Sequence, residues 1–106
     1  MMFQKLVPVT GVLLMLAACA QGGQEALATA DSLPPALSEA GQQGYLKWLS
    51  AEGDKAFAYS GDGSWAAVSG QESRSKAREK ALQLCERNSK DEEGCVLFAV
   101  NGVLQR

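Results

Sequence analysis

The stretch KAFAYSGDGSWAAVS, residues 55–69, decides the expected fold. Residues 55–60 place Phe57 and Tyr59 on one face of a predicted strand. The Gly-Asp-Gly sequence at 61–63 predicts a hairpin turn, and residues 64–69 alternate again as a second strand. We therefore expect two antiparallel strands joined by a tight turn.

Residues 74–88 form the clearest predicted helix, with Ser73 as its N-cap. Its apolar stripe consists of Ala77, Ala81, Leu84 and Cys85. Before the hairpin, residues 37–52 are a weaker helix candidate, with Gly53 as a plausible stop. After the second helix, residues 95–100 predict a third strand. An Asn-Gly turn and a short fourth strand at 103–106 follow.

The element order is thus helix, strand, strand, helix, strand, strand, which predicts an α+β fold. We expect a small antiparallel sheet of three or four strands with one or two helices packed on one face. This domain spans residues 37–106. A domain of that size buries only about 60% of its unfolded surface and is marginally stable without an additional constraint, for which the cysteines are the candidates.

Composition limits the chemistry available to the chain. Its 106 residues carry a net charge of −2 and include no histidine. Without histidine the Ser-His-Asp and Cys-His mechanisms are excluded, and the usual zinc ligand is missing. The weak, mixed charge argues against nucleic-acid binding. We predict no catalytic residue, no metal and no cofactor.

The N-terminus predicts export. Lys5 precedes an apolar run at 6–18, which is shorter than a membrane-spanning helix requires. The run ends in Leu-Ala-Ala-Cys at 16–19, which resembles the lipobox of bacterial lipoproteins. The resemblance implies a signal peptide at 1–18 and acyl chains, such as palmitate, on Cys19. Those chains would anchor the protein to a membrane, facing the periplasm or the cell exterior. An ordinary secretory signal, cleaved after a small residue, is the alternative.

Two further features concern the anchor. Residue 20, after the cysteine, is alanine and not aspartate, which in lipoproteins favours the outer membrane. Residues 19–36 are rich in Ala, Gly and Gln and end near Pro34-Pro35, so we expect a lipidated flexible tether.

Residues 55–101 also resemble a family of small exported bacterial domains of unknown function. The shared pattern is Ala-Phe-Ala-x-Ser, then Ala-Leu-x-x-Cys, then Gly-Cys before an apolar strand. The resemblance implies the same fold and a disulfide rather than a particular activity.

Cys85 and Cys95 are the two cysteines of the predicted domain. In an exported protein they are expected to be oxidised, and a helix end and a strand start can come within bridging range. A redox-active pair and a metal site are the alternatives. The absence of a Cys-x-x-Cys motif and of histidine weighs against both.

Asp62 and Trp65, in and after the hairpin turn, are the candidate binding surface. The alternatives are a plain turn for Asp62 and core packing for Trp65. The basic residues Arg74, Lys76, Arg78 and Lys80 interleave with glutamates, so a solvated helix face is expected. These features suggest a non-catalytic interaction domain with a protein or cell-wall partner. The alternative is an inhibitor or immunity-type protein that acts on a cell-wall or secreted enzyme.

Overall fold

The computed structural model describes residues 26–105, and its elements follow the predicted order. The elements are α1 Glu39–Leu49, β1 Asp54–Ser60, β2 Trp65–Gln71, α2 Arg74–Asn88, β3 Cys95–Val100 and β4 Val103–Leu104. The strands form one antiparallel sheet in the order β2-β1-β3-β4. The α+β class, the four-stranded antiparallel sheet and the order of elements are confirmed.

Serine side chains begin both helices. Ser38 Oγ accepts a hydrogen bond from Gly41 N at 3.1 Å, and Ser73 Oγ accepts one from Lys76 N at 3.1 Å. Each bond satisfies one of the amide donors that the first turn of a helix leaves without a partner. The predicted N-cap of α2 at Ser73 is therefore present, and α1 has an equivalent cap.

One face of the sheet is lined by small side chains, and we call it the alanine face. Ala56 and Ala58 of β1 are fully buried there, against Ala77 and Ala81 of α2. Alanines on both sides allow the helix backbone to approach the sheet closely. The close approach lets the helix and the sheet make van der Waals contacts that would otherwise require larger side chains.

The opposite face, which we call the aromatic face, carries Phe57, Tyr59, Trp65 and Phe98. Tyr45 and Trp48 of α1 pack on Phe57, with ring centroids 5.3 and 5.7 Å from it. The two helices thus cover opposite faces, which differs from the expectation that they share one. The reason is that β1 is buried on both sides, since consecutive side chains of a strand point in opposite directions.

A β-bulge adjusts β3 to this arrangement. Phe57 pairs with Ala99 and Ala58 pairs with Leu97, so Phe98 is an extra residue on β3. Phe98 and Ala99 both contact the aromatic cluster. The bulge therefore adds one aromatic ring to the face that α1 covers.

Residues 26–36, which the sequence analysis assigned to a flexible tether, lie against the domain. Leu27 pairs with Val103 of β4, and Ala28 N donates to Gly102 O at 2.8 Å. The hydroxyl of Tyr45 donates to Thr29 O at 2.8 Å. Pro34 is buried. Low hydrophobicity suggested a free chain, but backbone pairing and one tyrosine hydroxyl hold it.

Lys55 ends α1. Its ammonium group donates to the backbone oxygens of Trp48, Leu49 and Ala51 at 3.1, 2.8 and 2.8 Å. It also lies 4.9 Å from the ring centroid of Trp48. A cation at this position donates hydrogen bonds to the carbonyls that the last helical turn leaves unpaired. Its positive charge also interacts favourably with the negative end of the helix dipole.

The predicted disulfide between Cys85 and Cys95 is present, with the two Cα atoms 6.1 Å apart. It joins the last turn of α2 to the first residue of β3 and is buried in the alanine-face core. Residues 26–105 therefore contain two hydrophobic clusters, a serine N-cap on each helix and the covalent bridge between α2 and β3.

We predict that Cys85→Ser lowers the free energy of unfolding by about 2–3 kcal/mol, because the cross-link restricts the unfolded chain. Denaturant unfolding of the variant and the parent protein measures the loss. Adding reductant should destabilise the parent and leave the variant unchanged. Equal stability of the parent with and without reductant would contradict the prediction.

Candidate functional site

Asp62 and Trp65 line one open depression of about 590 Å³ on the α2 side of β2. The other lining residues are Gly63, Ser64, Ala66, Ala67, Leu84 and Asn88. The structure thus brings together the two residues of the predicted binding surface. Their side chains, however, already have partners within the domain.

Asp62 ties two loops together. Its Oδ1 accepts from the Ser60 hydroxyl and from Ser64 N at 3.0 Å. Its Oδ2 accepts from Lys90 N at 2.7 Å and from the Ser89 hydroxyl at 3.4 Å. These bonds connect the β1–β2 turn to the loop after α2, and Ser60 and the two backbone donors hold the pKa of Asp62 far below its usual range.

A second aspartate repeats this pattern from the opposite loop. Asp91 Oδ2 accepts from Gly61 N at 3.2 Å, while its Oδ1 accepts from Glu93 N at 3.0 Å. The two loops therefore exchange carboxylate bonds in both directions. Sequence reasoning identified Asp62 but missed its partners in the other loop, because Ser89 and Lys90 lie 27 and 28 residues away in the chain.

Trp65 packs against the domain rather than projecting from it. Its ring stacks on Phe57, with centroids 5.9 Å apart and planes 9° from parallel. Its other neighbours are Gly41 and Gly44 of α1, and a Cβ at Gly44 would lie 2.5 Å from Trp65 Cζ3. Those two glycines, which weaken the helix in isolation, leave the space that the indole ring fills.

A second depression, of about 350 Å³, lies on the other face of β2, beside α1. It is lined by Gly44, Lys47, Trp48, Ala51, Trp65, Ala67 and Ser69. Trp65 and Ala67 contribute to both depressions. The two hollows therefore flank one strand, one on each face of the sheet.

The strand between them, β2, forms an edge of the sheet. Because Ser60 N donates to Ser64 O, the alternation of an antiparallel ladder turns the N–H and C=O groups of Trp65 and Ala67 away from β1. Over residues 26–105, no strand pairs with this side of β2. Its sequence, WAAVSGQ, contains no charged residue and no proline, the usual protection of an exposed edge.

The opposite edge of the sheet is covered. Ala28 N donates to Gly102 O, and Leu104 N donates to Ala26 O at 2.9 Å. The N-terminal segment thus satisfies the outer side of β4. The sheet has one protected edge and one bare edge.

Cys19, the expected lipid attachment site, lies outside the described residues. Within residues 26–105 there is no group of three or more side chains suited to hold a metal ion. That part of the chain also contains no helix long and apolar enough to cross a membrane.

Comparison with models of protein families, with characterised proteins and with solved structures finds no match to this chain. Its function is therefore inferred from its own residues and geometry.

We predict that Asp62→Asn lowers the melting temperature at pH 7, because the amide nitrogen cannot accept the bonds that the carboxylate accepts. The pKa of Asp62 is lowered in the folded state, so its contribution to stability is complete above the unfolded pKa of about 4. That contribution begins to fall below this value and is lost as the pH falls through the much lower pKa of the folded state. The difference in melting temperature between parent and variant should therefore be constant above about pH 5 and narrow steadily between pH 4 and pH 2.

Glu92→Gln is the matched control, since it removes one negative charge from the loop that Asp62 contacts. It should keep the melting temperature and the acid dependence of the parent. A difference between the parent and Asp62→Asn that stays constant from pH 7 to pH 2 would show that Asp62 does not act through its charge.

Proposed function

We propose that this chain is a lipid-anchored protein of the bacterial cell envelope whose folded domain binds a partner protein without catalysis. The observation that carries the binding role is the bare edge of β2, with a depression on each face. The anchor is supported by the lipobox-like sequence at 16–19, and the disulfide suits an oxidising compartment.

The partner would bind as an added strand. The N–H and C=O groups of Trp65 and Ala67 offer the main-chain hydrogen bonds that an extended peptide needs. Side chains of the added strand would alternate between the two depressions, because their directions alternate at every residue. Small or apolar side chains suit these hollows, which expose Ala67, Leu84 and the Trp65 ring.

The inhibitor alternative draws less support from the same residues. It calls for a protruding loop with a free carboxylate or aromatic ring. Asp62 instead holds two loops together, and Trp65 fills the space beside Gly41 and Gly44. A strand edge needs neither side chain to be free.

The anchor is tested by Cys19→Ser. The variant should lose all incorporation of labelled palmitate and remain an uncleaved or mislocalised precursor, since the acylated thiol is gone. Cys95→Ser is the control for loss of a cysteine elsewhere in the chain, and it should still be labelled. Palmitate labelling of the Cys19→Ser variant would show that the lipobox assignment is wrong.

The strand-addition model is tested by Ala67→Pro, which removes the outward N–H of an edge residue and leaves the bonds to β1 in place. A photo-crosslinker at Ser69, an exposed residue of the same edge, reports contact with the partner in intact cells. Ala67→Pro should abolish the protein adduct that forms at Ser69. A crosslinker at Lys80, on the exposed side of α2, is the positional control and should give no such adduct.

The melting temperature of the oxidised protein verifies that the Ala67→Pro variant is folded. If that variant is unfolded, Ser69→Lys is used in its place, because a charge on the edge of β2 also blocks strand addition. The crosslinker is then placed at Gln71. Adducts that survive both edge changes, or adducts with glycan alone, would contradict the model.

A further inference from the structure

Two arginines of α2 line a cleft beside β4. Arg74 and Arg78 lie one helical turn apart, and both border a hollow of about 210 Å³. The other lining residues are Val100, Asn101, Val103 and Gln105. No carboxylate is among these lining residues. Two guanidinium groups that border one hollow favour an anion with several oxygen atoms, as phosphate has.

The amide groups in the cleft are already used. Asn101 Nδ2 donates to Asp54 Oδ1 at 2.9 Å, and Gln105 Nε2 donates to Val103 O at 3.0 Å. Recognition of an anion would therefore come from the arginines. Arg74 and Arg78 are exposed, as the sequence analysis expected of this helix face, but the sequence pattern cannot show that β4 returns beside the start of α2.

The cleft lies next to the point where the N-terminal segment joins the fold. Val103, which lines the cleft, pairs with Leu27, and Leu104 N donates to Ala26 O. The seven peptide links between Cys19 and Ala26 span at most about 25 Å when fully extended. A lipid on Cys19 would hold this end of the domain close to the membrane surface.

We propose that the cleft beside β4 that Arg74 and Arg78 line binds the phosphate of an anionic phospholipid headgroup in the membrane that carries the anchor. The identity of this ligand rests on the lipid anchor proposed above, while the preference for phosphate rests on the cleft. Leu27, 65% exposed beside Val103, adds an apolar side chain at the same end. Its contact with the lipid surface would supplement the two charges.

This contact would fix the orientation of the domain. Without the signal segment, whose only charge is Lys5, the net charge of −2 becomes −3, so an anionic surface repels the domain as a whole. Attraction would therefore have to come from a local site such as the arginine cleft and not from the net charge of the domain. Because β4 and β2 lie at opposite ends of the sheet, binding at the cleft would direct the bare edge of β2 away from the membrane.

The test uses the unlipidated chain from Ala20 to Arg106, which contains every residue that the structure describes. Cosedimentation at low salt compares vesicles of phosphatidylcholine with vesicles of phosphatidylcholine and phosphatidylglycerol. The parent should bind the anionic vesicles more tightly. Arg74→Ser and Arg78→Ser should each weaken that binding about fivefold, the equivalent of roughly 1 kcal/mol for a basic residue at an anionic surface.

Arg87→Ser is the matched control, since it removes the same charge from the other end of α2. It should bind as the parent does. Equal binding to both kinds of vesicle, or equal weakening by Arg87→Ser, would overturn the proposal. Saturable binding of inorganic phosphate without binding to vesicles would show that the cleft binds free phosphate and not a lipid headgroup, and would overturn the proposal. Because no acyl chain is present, these results are independent of the palmitate test on Cys19.

Discussion

Burial of β1 on both faces is the constraint on which the rest of the structure depends. Ala56, Phe57 and Ala58 are all fully buried, although consecutive side chains of a strand point in opposite directions. Each face therefore requires its own cover. The alanine face accepts a helix that approaches closely, and the aromatic face accepts one that supplies rings. The three-layer order of α1, sheet and α2 follows from these few residues of one strand.

The packing on each face of the sheet is reinforced by a specific bond, because about eighty residues provide only a small core. The Cys85–Cys95 bridge adds a covalent link to the alanine side, where five of the buried residues are alanines of small apolar area. On the aromatic side, the ammonium group of Lys55, near the start of β1, donates hydrogen bonds to the carbonyl groups at the end of α1. Burial lowers the pKa of the Lys55 ammonium group, and the carboxylate of Glu52 opposes that shift.

The unequal edges of the sheet connect the fold to its proposed role. The N-terminal segment occupies the outer side of β4, so the chain that leads towards Cys19 leaves from that edge. The edge of β2 is bare at the other end of the sheet. An exposed apolar edge promotes aggregation in a freely diffusing protein. Its presence here is consistent with a surface that a partner covers.

The sequence by itself determined the elements, their order, the class of fold and the disulfide, because strand alternation, helix caps and turn residues are local signals. It did not determine which face each helix covers, since β1 offers apolar side chains to both. Nor did it show that residues 26–36 are docked, because their binding uses backbone groups and the Tyr45 hydroxyl. The surroundings of Asp62, Trp65 and Arg78 were decided only by tertiary structure, which brings together groups that are far apart in the chain.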